Sequence, residues 1–190
     1  MDVFIDLKQR LIALDWGDSN VMTYAREIFL DYKADQTKPF EQFPVKKNET
    51  YSRYEICTVA EKFNLVLNVW KPNSSNPVHD HSGAKYLFKV LKGSLTDEHY
   101  EFDHHKPIGQ RLEKKSAVTL GLNGVYPGVD FTGYHKIFNQ SATEEAISLN
   151  LYRPPLWKCS VIDSITEEPR PQLMAFANSN YEANANTLAQ

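Results

Sequence analysis

Residues 77–93, PVHDHSGAKYLFKVLKG, place two histidines directly before an apolar run and a glycine. Successive side chains of an extended chain alternate between faces, so His79 and His81 project in the same direction. The run over 86–91 is typical of a short buried strand. This segment therefore predicts a pair of metal ligands at the start of a β-strand.

A third imidazole, His135, follows in the segment GYHKIFN after roughly fifty residues, which suits a strand that returns across a β-barrel. By itself, an HxH pair is equally compatible with surface or core histidines. The other histidines lie in or beside the charged segment HYEFDHHK, which we interpret as a solvated turn: His99, His104 and His105.

Around this segment, apolar and β-branched residues recur with a period of two. Glycines and prolines separate these runs, and no intervening segment is long enough for a regular βαβ crossover. The pattern predicts a mainly β fold, a jelly-roll-like antiparallel β-barrel behind an N-terminal α-helical cap. The predicted strands include residues 63–70, 86–91, 134–138 and 146–152.

The N-terminal part has helical spacing instead. Its apolar residues predict a first helix that Gly17 breaks, and Asp18 or Ser19 is expected to cap a second helix. The predicted stripes are Val3, Leu7, Leu11 and Leu14 in the first helix and Val21, Ala25, Ile28 and Tyr32 in the second.

The length of 190 residues suits one domain. We divide residues 1–190 into a helical part (1–50), a β-barrel (51–176) and a tail (177–190).

The 24 acidic and 21 basic side chains are interspersed, and the net charge is −3. This distribution offers no basic patch for nucleic acid or an anionic membrane, which favours a small-molecule partner. No run approaches the roughly 18 apolar residues of a spanning helix, and acids stand where a signal peptide has bases. Cys57 and Cys159 have neither disulfide-scaffold nor zinc-finger spacing. We expect a cytoplasmic monomer with reduced thiols that binds neither nucleic acid nor membrane.

The spacing resembles the two motifs of the cupin superfamily. The first motif corresponds to His79, His81 and Gly93, with Tyr86 where a glutamate is usual, and the second ends in His135 and Asn139. Three imidazoles without the glutamate form a neutral ligand set, so a divalent metal would keep its full charge and open coordination positions.

More narrowly, the chain resembles the cysteine dioxygenases over about residues 51–176. The resemblance is carried by YSRYE, KFNLVLNVWKP, PVHDH, GYHKIFN and SLNLYRPP. It implies an iron(II) thiol dioxygenase of cysteine metabolism that converts L-cysteine to cysteine sulfinate with O2, with one Fe(2+) per chain.

The resemblance also assigns roles to single residues. His79, His81 and His135 take the metal positions, and Arg53 takes the position that pairs with the substrate carboxylate. Tyr152 matches the tyrosine whose hydroxyl reaches toward the metal. The other matched positions are Ser148 behind that tyrosine, and Tyr51 and Cys159 on the substrate side.

The residues themselves support part of this assignment. In SLNLYRPP, strand alternation places Ser148, Asn150 and Tyr152 on one face and two leucines on the other. Such a polar row suits a barrel interior beside a metal, although a generic strand would expose it. Arg53 suits a carboxylate because guanidinium binds carboxylates with two parallel hydrogen bonds.

Two positions depart from the family pattern. Animal-type enzymes have a cysteine at the position of Tyr86, which becomes joined to the tyrosine matching Tyr152, so we predict that no Cys–Tyr thioether cofactor forms and that Tyr152 keeps an ordinary phenol pKa. Tyr86 either narrows the pocket, hydrogen-bonds a ligand or turns toward the metal. Asn150 replaces a histidine; it can hold the Tyr152 hydroxyl but does not titrate.

These departures leave alternatives open. The nearest is iron-dependent oxidation of a different small thiol, or a diverted thiol-oxidising reaction. Alternatives of another class are an O2-independent, metal-dependent cupin hydrolase or isomerase and a non-catalytic binding cupin.

Overall fold

The computed structural model describes residues 4–34, 40, 42–126 and 133–178. Val3 and the predicted tail from residue 179 onward lie outside the described residues. The helices are α1 (Ile5–Ile12) and α2 (Val21–Asp31). The strands are β1 (Tyr51–Val59), β2 (Phe63–Trp70), β3 (Ser74–Ser75), β4 (Lys85–Lys92), β5 (Leu95–Phe102), β6 (Leu112–Leu120), β7 (Tyr134–Asn139), β8 (Ala146–Arg153), β9 (Lys158–Ile162) and β10 (Pro169–Leu173).

Two four-stranded sheets form the body of the fold. Sheet A has the strand order β1-β2-β8-β4, sheet B has the order β3-β7-β5-β6, and β9 pairs with β10. Every strand pairing in the described ranges is antiparallel. The four strands predicted from the sequence correspond to β2, β4, β7 and β8.

Sheet A is buried on both faces, which explains the continuous burial of β2 and β8. Its outer face carries Leu65 and Leu67 and packs against both helices. Its inner face carries Val66 and Trp70 and packs against sheet B residues such as Ile137. Burial of one such apolar side chain contributes about 1.5–3 kcal/mol. Sheet A is therefore covered on both sides, and its inner face bounds the space between the two sheets.

The start of α2 differs from the prediction. The N-cap is Asn20, not Asp18 or Ser19, and no side-chain hydrogen bond caps this helix. The Asp18 carboxylate instead accepts a hydrogen bond from the Asn20 N–H at 2.7 Å, which forms a turn before the helix. Aspartate competes for nearby backbone amides in this way. At the other helix, α1 ends at Ile12, and Leu14 packs against the core from beyond it.

The segment interpreted as a charged turn is partly a strand. β5 extends through Phe102, so the turn contains the exposed His104 and His105 but not His99. The interpretation of His99 as solvated was wrong, because its side chain is 13% exposed and lies 3.1 Å from the Asp97 carboxylate. His99 and Asp97 are polar residues that contact each other on the inward side of β5. The strand therefore lacks the alternation of apolar residues by which a strand is recognised in a sequence.

Two residues of the histidine motifs shape loops. Gly93 has a φ of 68°, and a Cβ there would lie 3.1 Å from the Glu145 carbonyl oxygen, so only glycine fits this turn. Asn139 is fully buried, and its side-chain amide donates to the carbonyls of Lys71 at 3.0 Å and Glu144 at 2.9 Å.

The predicted fold class is confirmed in that the protein has a mainly β, antiparallel fold with a helical N-terminal part. The described strands form two four-stranded sheets and the β9–β10 pair, not one continuous hydrogen-bonded barrel. Neither described helix is long and apolar enough to cross a membrane. The division into three parts of one domain stays a prediction.

Lys89 joins sheet A to the helices. This lysine of β4 is fully buried, and its ammonium donates to the Phe29 carbonyl at 2.7 Å and to the Asn123 carbonyl at 3.2 Å. The Phe29 carbonyl belongs to the last turn of α2, where carbonyls lack partners within the helix. Burial, together with a smaller effect of the Lys33 charge, lowers the pKa of Lys89 to about 8.

We expect Lys89→Met to lower the free energy of unfolding at neutral pH by about 1–3 kcal/mol, because it leaves two buried carbonyls without a donor. Urea denaturation measures this change. Lys92→Met on the same strand is the matched control, because Lys92 is half exposed and lies 3.9 Å from Glu145. Equal stability of the two variants would contradict the structural role of Lys89.

The stability difference between the wild type and Lys89→Met should also depend on pH. Lys89 releases its proton near pH 8 in the folded protein and near pH 10.5 when unfolded. The unfolded state binds more protons between these values, so the wild type gains stability relative to the variant as the pH rises through this window. Urea denaturation of the wild type and of Lys89→Met at about pH 7 and about pH 9.5 checks this prediction. If the stability difference between the two proteins became smaller at the higher pH, the lowered pKa of Lys89 would be contradicted.

Candidate metal centre

The three histidines predicted as ligands lie between the two sheets. His79 pairs with His135: its N–H donates to the His135 carbonyl at 2.9 Å, and its carbonyl accepts the His135 N–H at 2.8 Å. Asp80 points the other way, where it accepts a hydrogen bond from the Ser160 N–H at 2.7 Å. His79 and His81 therefore face the same pocket, as strand alternation predicts.

The ring nitrogens of these histidines converge. One nitrogen from each ring lies within 4.8 Å of the other two, and the Nε2 atoms of His81 and His135 are 2.9 Å apart. A divalent metal binds imidazole nitrogen at about 2.0–2.1 Å, so one ion can reach all three. All three side chains are buried.

Hydrogen bonds fix the orientation of two of the rings. The Nδ1 atom of His79 lies 3.1 Å from the Pro77 carbonyl, and the Nδ1 atom of His135 lies 2.9 Å from the Asp97 carboxylate. Both acceptors assign the ring proton to Nδ1, which leaves the Nε2 lone pair for a metal. Metal-binding histidines typically donate their other nitrogen to a carbonyl or carboxylate in this way.

The electrostatic surroundings suit neutral ligands. Burial lowers the pKa values of His79 and His81 well below their usual range, and the neighbouring His135 lowers both further. These two imidazoles are therefore unprotonated at neutral pH, which is the form that binds a metal. The donor set fits a divalent ion that uses nitrogen ligands and keeps open positions.

Asp97, a residue that the sequence did not single out, stands behind the ligands. Its carboxylate is fully buried and accepts hydrogen bonds from the His135 ring at 2.9 Å, the Tyr86 hydroxyl at 3.0 Å and the His99 ring at 3.1 Å. Burial alone would raise the pKa of Asp97, but His135 and His99 hold it well below the usual range. The carboxylate is thus ionised and orients the His135 ring.

Tyr86 narrows the pocket, and its hydroxyl donates to Asp97. Its ring is 4.3 Å from the His81 ring, and it is paired in register with Tyr152 of the adjacent strand. Burial and the charge of Asp97 raise the pKa of Tyr86 well above its usual value, so the hydroxyl remains a neutral donor. This hydrogen bond to a residue behind the metal site was not among the roles expected from the sequence.

One pocket contains most of the residues that the sequence singled out. The singled-out residues that do not line this pocket are Ser148, Tyr51 and Cys159. Its lining residues are Arg53, Asn68, Asn76, His79, His81, Tyr86, Phe88, His135, Ile137, Asn150, Tyr152 and Met174.

Arg53 is supported by a stack of aromatic rings. Its guanidinium lies 4.8 Å from the centre of the Tyr51 ring, and this ring stacks on Trp70 at 4.7 Å with an interplanar angle of 15°. Arg53 also lines an outer groove together with Tyr51 and Phe176. Tyr51 therefore acts on the pocket through Arg53, and the arginine stands between the groove and the metal centre.

The polar row of β8 faces inward, as the alternation in the sequence indicates. The Ser148 hydroxyl accepts hydrogen bonds from the Trp70 indole at 3.2 Å and the Asn150 amide at 3.1 Å, and this amide also donates to the Val66 carbonyl at 3.2 Å. In the described part of the chain, no hydrogen bond joins Asn150 to Tyr152, so the expected contact is absent. The Asn150 amide instead donates to Ser148 on its own strand and to the Val66 carbonyl on β2.

Tyr152 and Cys159 are buried beside Arg53. Burial raises the pKa of Tyr152 above its usual range, so the expectation of an ordinary phenol pKa was wrong. Burial likewise raises the pKa of Cys159, although Arg53 opposes the shift. Both groups are protonated at neutral pH, and the Tyr152 ring lies 5.2 Å from the His81 ring.

A second group of potential ligand atoms lies on the surface. Asp103, His104 and His105 offer atoms within 4.8 Å of one another, but both histidines are exposed. The Asp103 carboxylate accepts a hydrogen bond from the His105 N–H at 2.9 Å, which is a local turn interaction.

Comparisons with known proteins found similar sequences and structures. The family model described as cysteine dioxygenase type I matches residues 4–164. Cysteine dioxygenase type 1 of Homo sapiens is 29% identical over 176 residues, which cover 90% of this chain and 84% of the human protein. The protein of the same name from Rattus norvegicus is 33% identical over 126 residues, or 66% of this chain and 62% of its own length. A solved oxalate oxidase in complex with the substrate analogue glycolate has a TM-score of 0.45 and 18% identity, and covers 77% of this chain and 64% of its own.

We expect His135→Ala to abolish metal retention, because two neutral donors no longer enclose an ion. Asp97→Asn should lower metal affinity by about 10–100-fold, since it removes the charge that orients His135. Competition with a chelator measures both effects. The double variant H104A/H105A is the matched control and should keep one metal per chain. Stoichiometric metal in His135→Ala would show that this residue is not a ligand.

Tyr86→Phe should weaken metal affinity less than Asp97→Asn, because it removes one donor to Asp97 and keeps the hydrogen bond to His135. The same competition measures it, with turnover followed in parallel. Unchanged affinity with turnover reduced by about 10-fold or more would show instead that the hydroxyl acts on a bound ligand.

Proposed function

This chain belongs to the cysteine dioxygenase type I family, and from that membership we propose that it is an iron(II)-dependent thiol dioxygenase that oxidises L-cysteine to cysteine sulfinate. The observation that carries the proposal is the buried three-histidine group that shares one pocket with Arg53. In the reaction, a thiol and O2 give a sulfinic acid: both oxygen atoms join the sulfur, which loses four electrons to O2.

The residues present fit such an ion. His79, His81 and His135 would hold it, and Asp97 and the Pro77 carbonyl fix two of the rings. When bound, iron(II) would supply the Lewis acidity and the redox chemistry of the reaction. The ligand set adds no negative charge of its own, so an anionic sulfur is favoured at this place.

Arg53 would bind the substrate carboxylate. Its planar guanidinium forms two hydrogen bonds with a carboxylate, and the stack on Tyr51 and Trp70 limits its movement. Because Arg53 lines the same pocket as the ring nitrogens, a substrate held at its carboxylate presents its sulfur to the metal ligands. This positioning replaces an encounter in solution by a prearranged one.

Tyr152 would serve as a neutral hydrogen-bond donor. Its raised pKa keeps the proton on the hydroxyl, and the residue lines the pocket next to His81. A protonated phenol stabilises negative charge that develops on the sulfur or on the oxygen atoms of the product. The rings of Tyr86 and Phe88 complete an apolar wall that excludes bulk water.

A second candidate is the same chemistry on another small thiol that carries a carboxylate. The departures at Tyr86 and Asn150 support it, because they change the size and hydrogen bonding of the pocket wall. For either candidate we propose a monomer acting in the cytoplasm.

The decisive experiment supplies iron-loaded protein with L-cysteine in the presence and absence of O2 and identifies the products by mass. One O2 consumed for each sulfinate formed is the expected result, and protein without metal should form none. Turnover without O2 would show that the protein is a hydrolase or an isomerase. Binding without turnover would show that it is a non-catalytic binding protein. A panel of carboxylate-bearing thiols separates the two thiol candidates.

We expect Arg53→Ala to weaken binding of L-cysteine much more than binding of cysteamine, which lacks the carboxylate. The charge-assisted hydrogen bonds between Arg53 and the cysteine carboxylate contribute on the order of 2–3 kcal/mol. The ratio of kcat/KM for the two thiols measures the effect.

Arg111→Ala is the matched control, because this arginine pairs with Glu168 near the surface, away from the pocket. It should leave the ratio unchanged. Equal losses for both thiols in Arg53→Ala would show that Arg53 supports the fold or contacts a different group.

A further inference from the structure

The pocket that contains the three histidines, which we call the metal pocket, is closed in this structure. Its volume is about 10 Å³, and each of its lining residues except Arg53 is buried. One water molecule needs roughly 10–15 Å³, so the metal pocket in this conformation has no room for a small thiol. The outer groove, which Arg53 also lines, has a volume of about 320 Å³, within the size range of small-molecule sites. The groove can therefore receive a substrate directly, but the metal pocket must open to admit it.

A segment after β10, residues 174–178, separates the outer groove from the metal pocket, and we call it the strap. Met174 lines the metal pocket, whereas residues 175–177 line the groove. Met174 and Phe176 are 3% and 4% exposed and belong to the apolar cluster on the inner side of sheet A. Together with Arg53, which lines both cavities, the strap forms the wall between them.

The other walls of the metal pocket are fixed by the two sheets. Lining residues on β1, β2, β4, β7 and β8 belong to hydrogen-bonded ladders. His79, which precedes β4, is joined to His135 by two backbone hydrogen bonds. The strap lies outside both four-stranded sheets and follows β10, which pairs with β9. The strap can therefore move while the strands and the histidines stay in place.

Hydrogen bonds at both ends hold the strap in its closed position. At its start, the Met174 N–H donates to the Trp157 carbonyl at 2.8 Å. At its end, the exposed Asn178 binds the backbone of Glu55 on β1, the edge strand of sheet A. The Asn178 side-chain oxygen accepts from the Glu55 N–H at 3.0 Å, and its side-chain amide donates to the Glu55 carbonyl at 2.8 Å. One exposed side chain thus fastens the strap to the edge of the sheet.

The strap is also joined to the backbone of the arginine that lines both cavities. The Ala177 N–H donates to the Arg53 carbonyl at 2.6 Å. This hydrogen bond does not involve the guanidinium group, which lies 4.8 Å from the centre of the Tyr51 ring. Arg53 can therefore keep its side-chain position while the wall beside it opens.

We infer that the strap is a gate that detaches from β1 and from Trp157 as one unit and thereby joins the outer groove to the metal pocket. This inference rests on the proposed function, because it describes how a substrate reaches the site assigned there. Detachment removes Met174 from the wall of the metal pocket and Phe176 from the wall of the groove. The resulting path leads from the groove past Arg53 to the three histidines.

Hydrogen exchange tests whether the strap opens as one unit. The exchange rates of the Met174 and Ala177 amides are measured by NMR in protein loaded with Zn²⁺, which is diamagnetic, for the wild type and for Asn178→Ala. The substitution removes both side-chain hydrogen bonds to Glu55, so we expect both amides to exchange about 10-fold faster. Acceleration of Ala177 alone would show local fraying of the chain and would overturn the inference, as would unchanged rates.

The association rate of a ligand tests whether this opening controls access. Binding of L-cysteine to iron-loaded protein is followed by stopped flow without O2. Because the ligand enters only the open form, a larger open population in Asn178→Ala should raise the association rate constant by about 10-fold as well. An association rate constant that is unchanged or lower would contradict a gate at this place.

Thr166→Ala is the matched control for both measurements. It removes a side-chain hydrogen bond to Asp163 in the turn between β9 and β10, outside the strap. The exchange rates in the strap and the association rate constant should stay as in the wild type. An equal acceleration in Thr166→Ala would show general loosening of this region and would overturn the inference.

The two measurements also separate the gate from the proposed function. The exchange experiment needs no substrate, so concerted opening of the strap without any sulfinate formation would support the inference and refute the dioxygenase activity. Sulfinate formation with exchange and association rates that do not respond to residue 178 would support the activity and overturn the inference.

Discussion

Sheet A is buried on both faces, and this constraint governs where polar groups can lie in the protein. Its outer face is covered by two helices, so the few polar groups there need internal partners, as the buried Lys89 ammonium finds in two backbone carbonyls. Its inner face turns toward sheet B and lines the pocket that contains the three histidines. Polar side chains on that face are tolerated where they bind one another or a bound molecule. The catalytic architecture follows from this restriction.

The carboxylate of Asp97 connects the metal centre to the rest of sheet B. It accepts hydrogen bonds from His135, Tyr86 and His99, so one buried charge is compensated by three donors on three strands. The arrangement links the orientation of a metal ligand to the ring that narrows the pocket. We therefore expect a change in Tyr86 to affect His135 through Asp97, because both residues hydrogen-bond to this carboxylate.

The sequence predicted the features that depend on local alternation. His79 and His81 share a face because they are two residues apart on an extended chain, and the inward polar row of β8 follows from the same rule. His135 was a candidate third ligand from its distance along the chain, and the family resemblance strengthened it and added Arg53.

Features that depend on pairing between distant strands could not be predicted. In the sequence, Asp97 stands in the charged segment TDEHYE and resembles a surface residue. Its partners on β4 and β7 come next to it only when the strands pair, and its third partner lies on β5 itself. The interpretation of His99 failed because its neighbour on β5, Asp97, is buried and not a surface charge. Asn68 likewise lies beside Arg53 only because of the register between β1 and β2. No periodicity in the sequence shows that its amide oxygen lacks a hydrogen-bond partner among the described residues. The cap of α2 was misplaced because Asp18 formed a local turn instead.

The two departures from the family pattern have the same effect on the pocket wall: each adds a polar group that is hydrogen-bonded within the protein. The Tyr86 hydroxyl is bound by Asp97, and the Asn150 amide is bound by Val66 and Ser148, so neither of these polar groups needs a ligand to be satisfied. Both replacements lie on β4 and β8, the half of sheet A next to His81 and Tyr152. The open acceptor, Oδ1 of Asn68, lies instead on β2, next to Arg53 on β1. The cationic side chain of the pocket, Arg53, thus lies on the β1 side, and the β4 and β8 side is formed by rings and by polar groups that already have partners. Under the proposed function, a thiol with a carboxylate would match this division, because its carboxylate would meet Arg53 on β1 while its sulfur would meet the histidines.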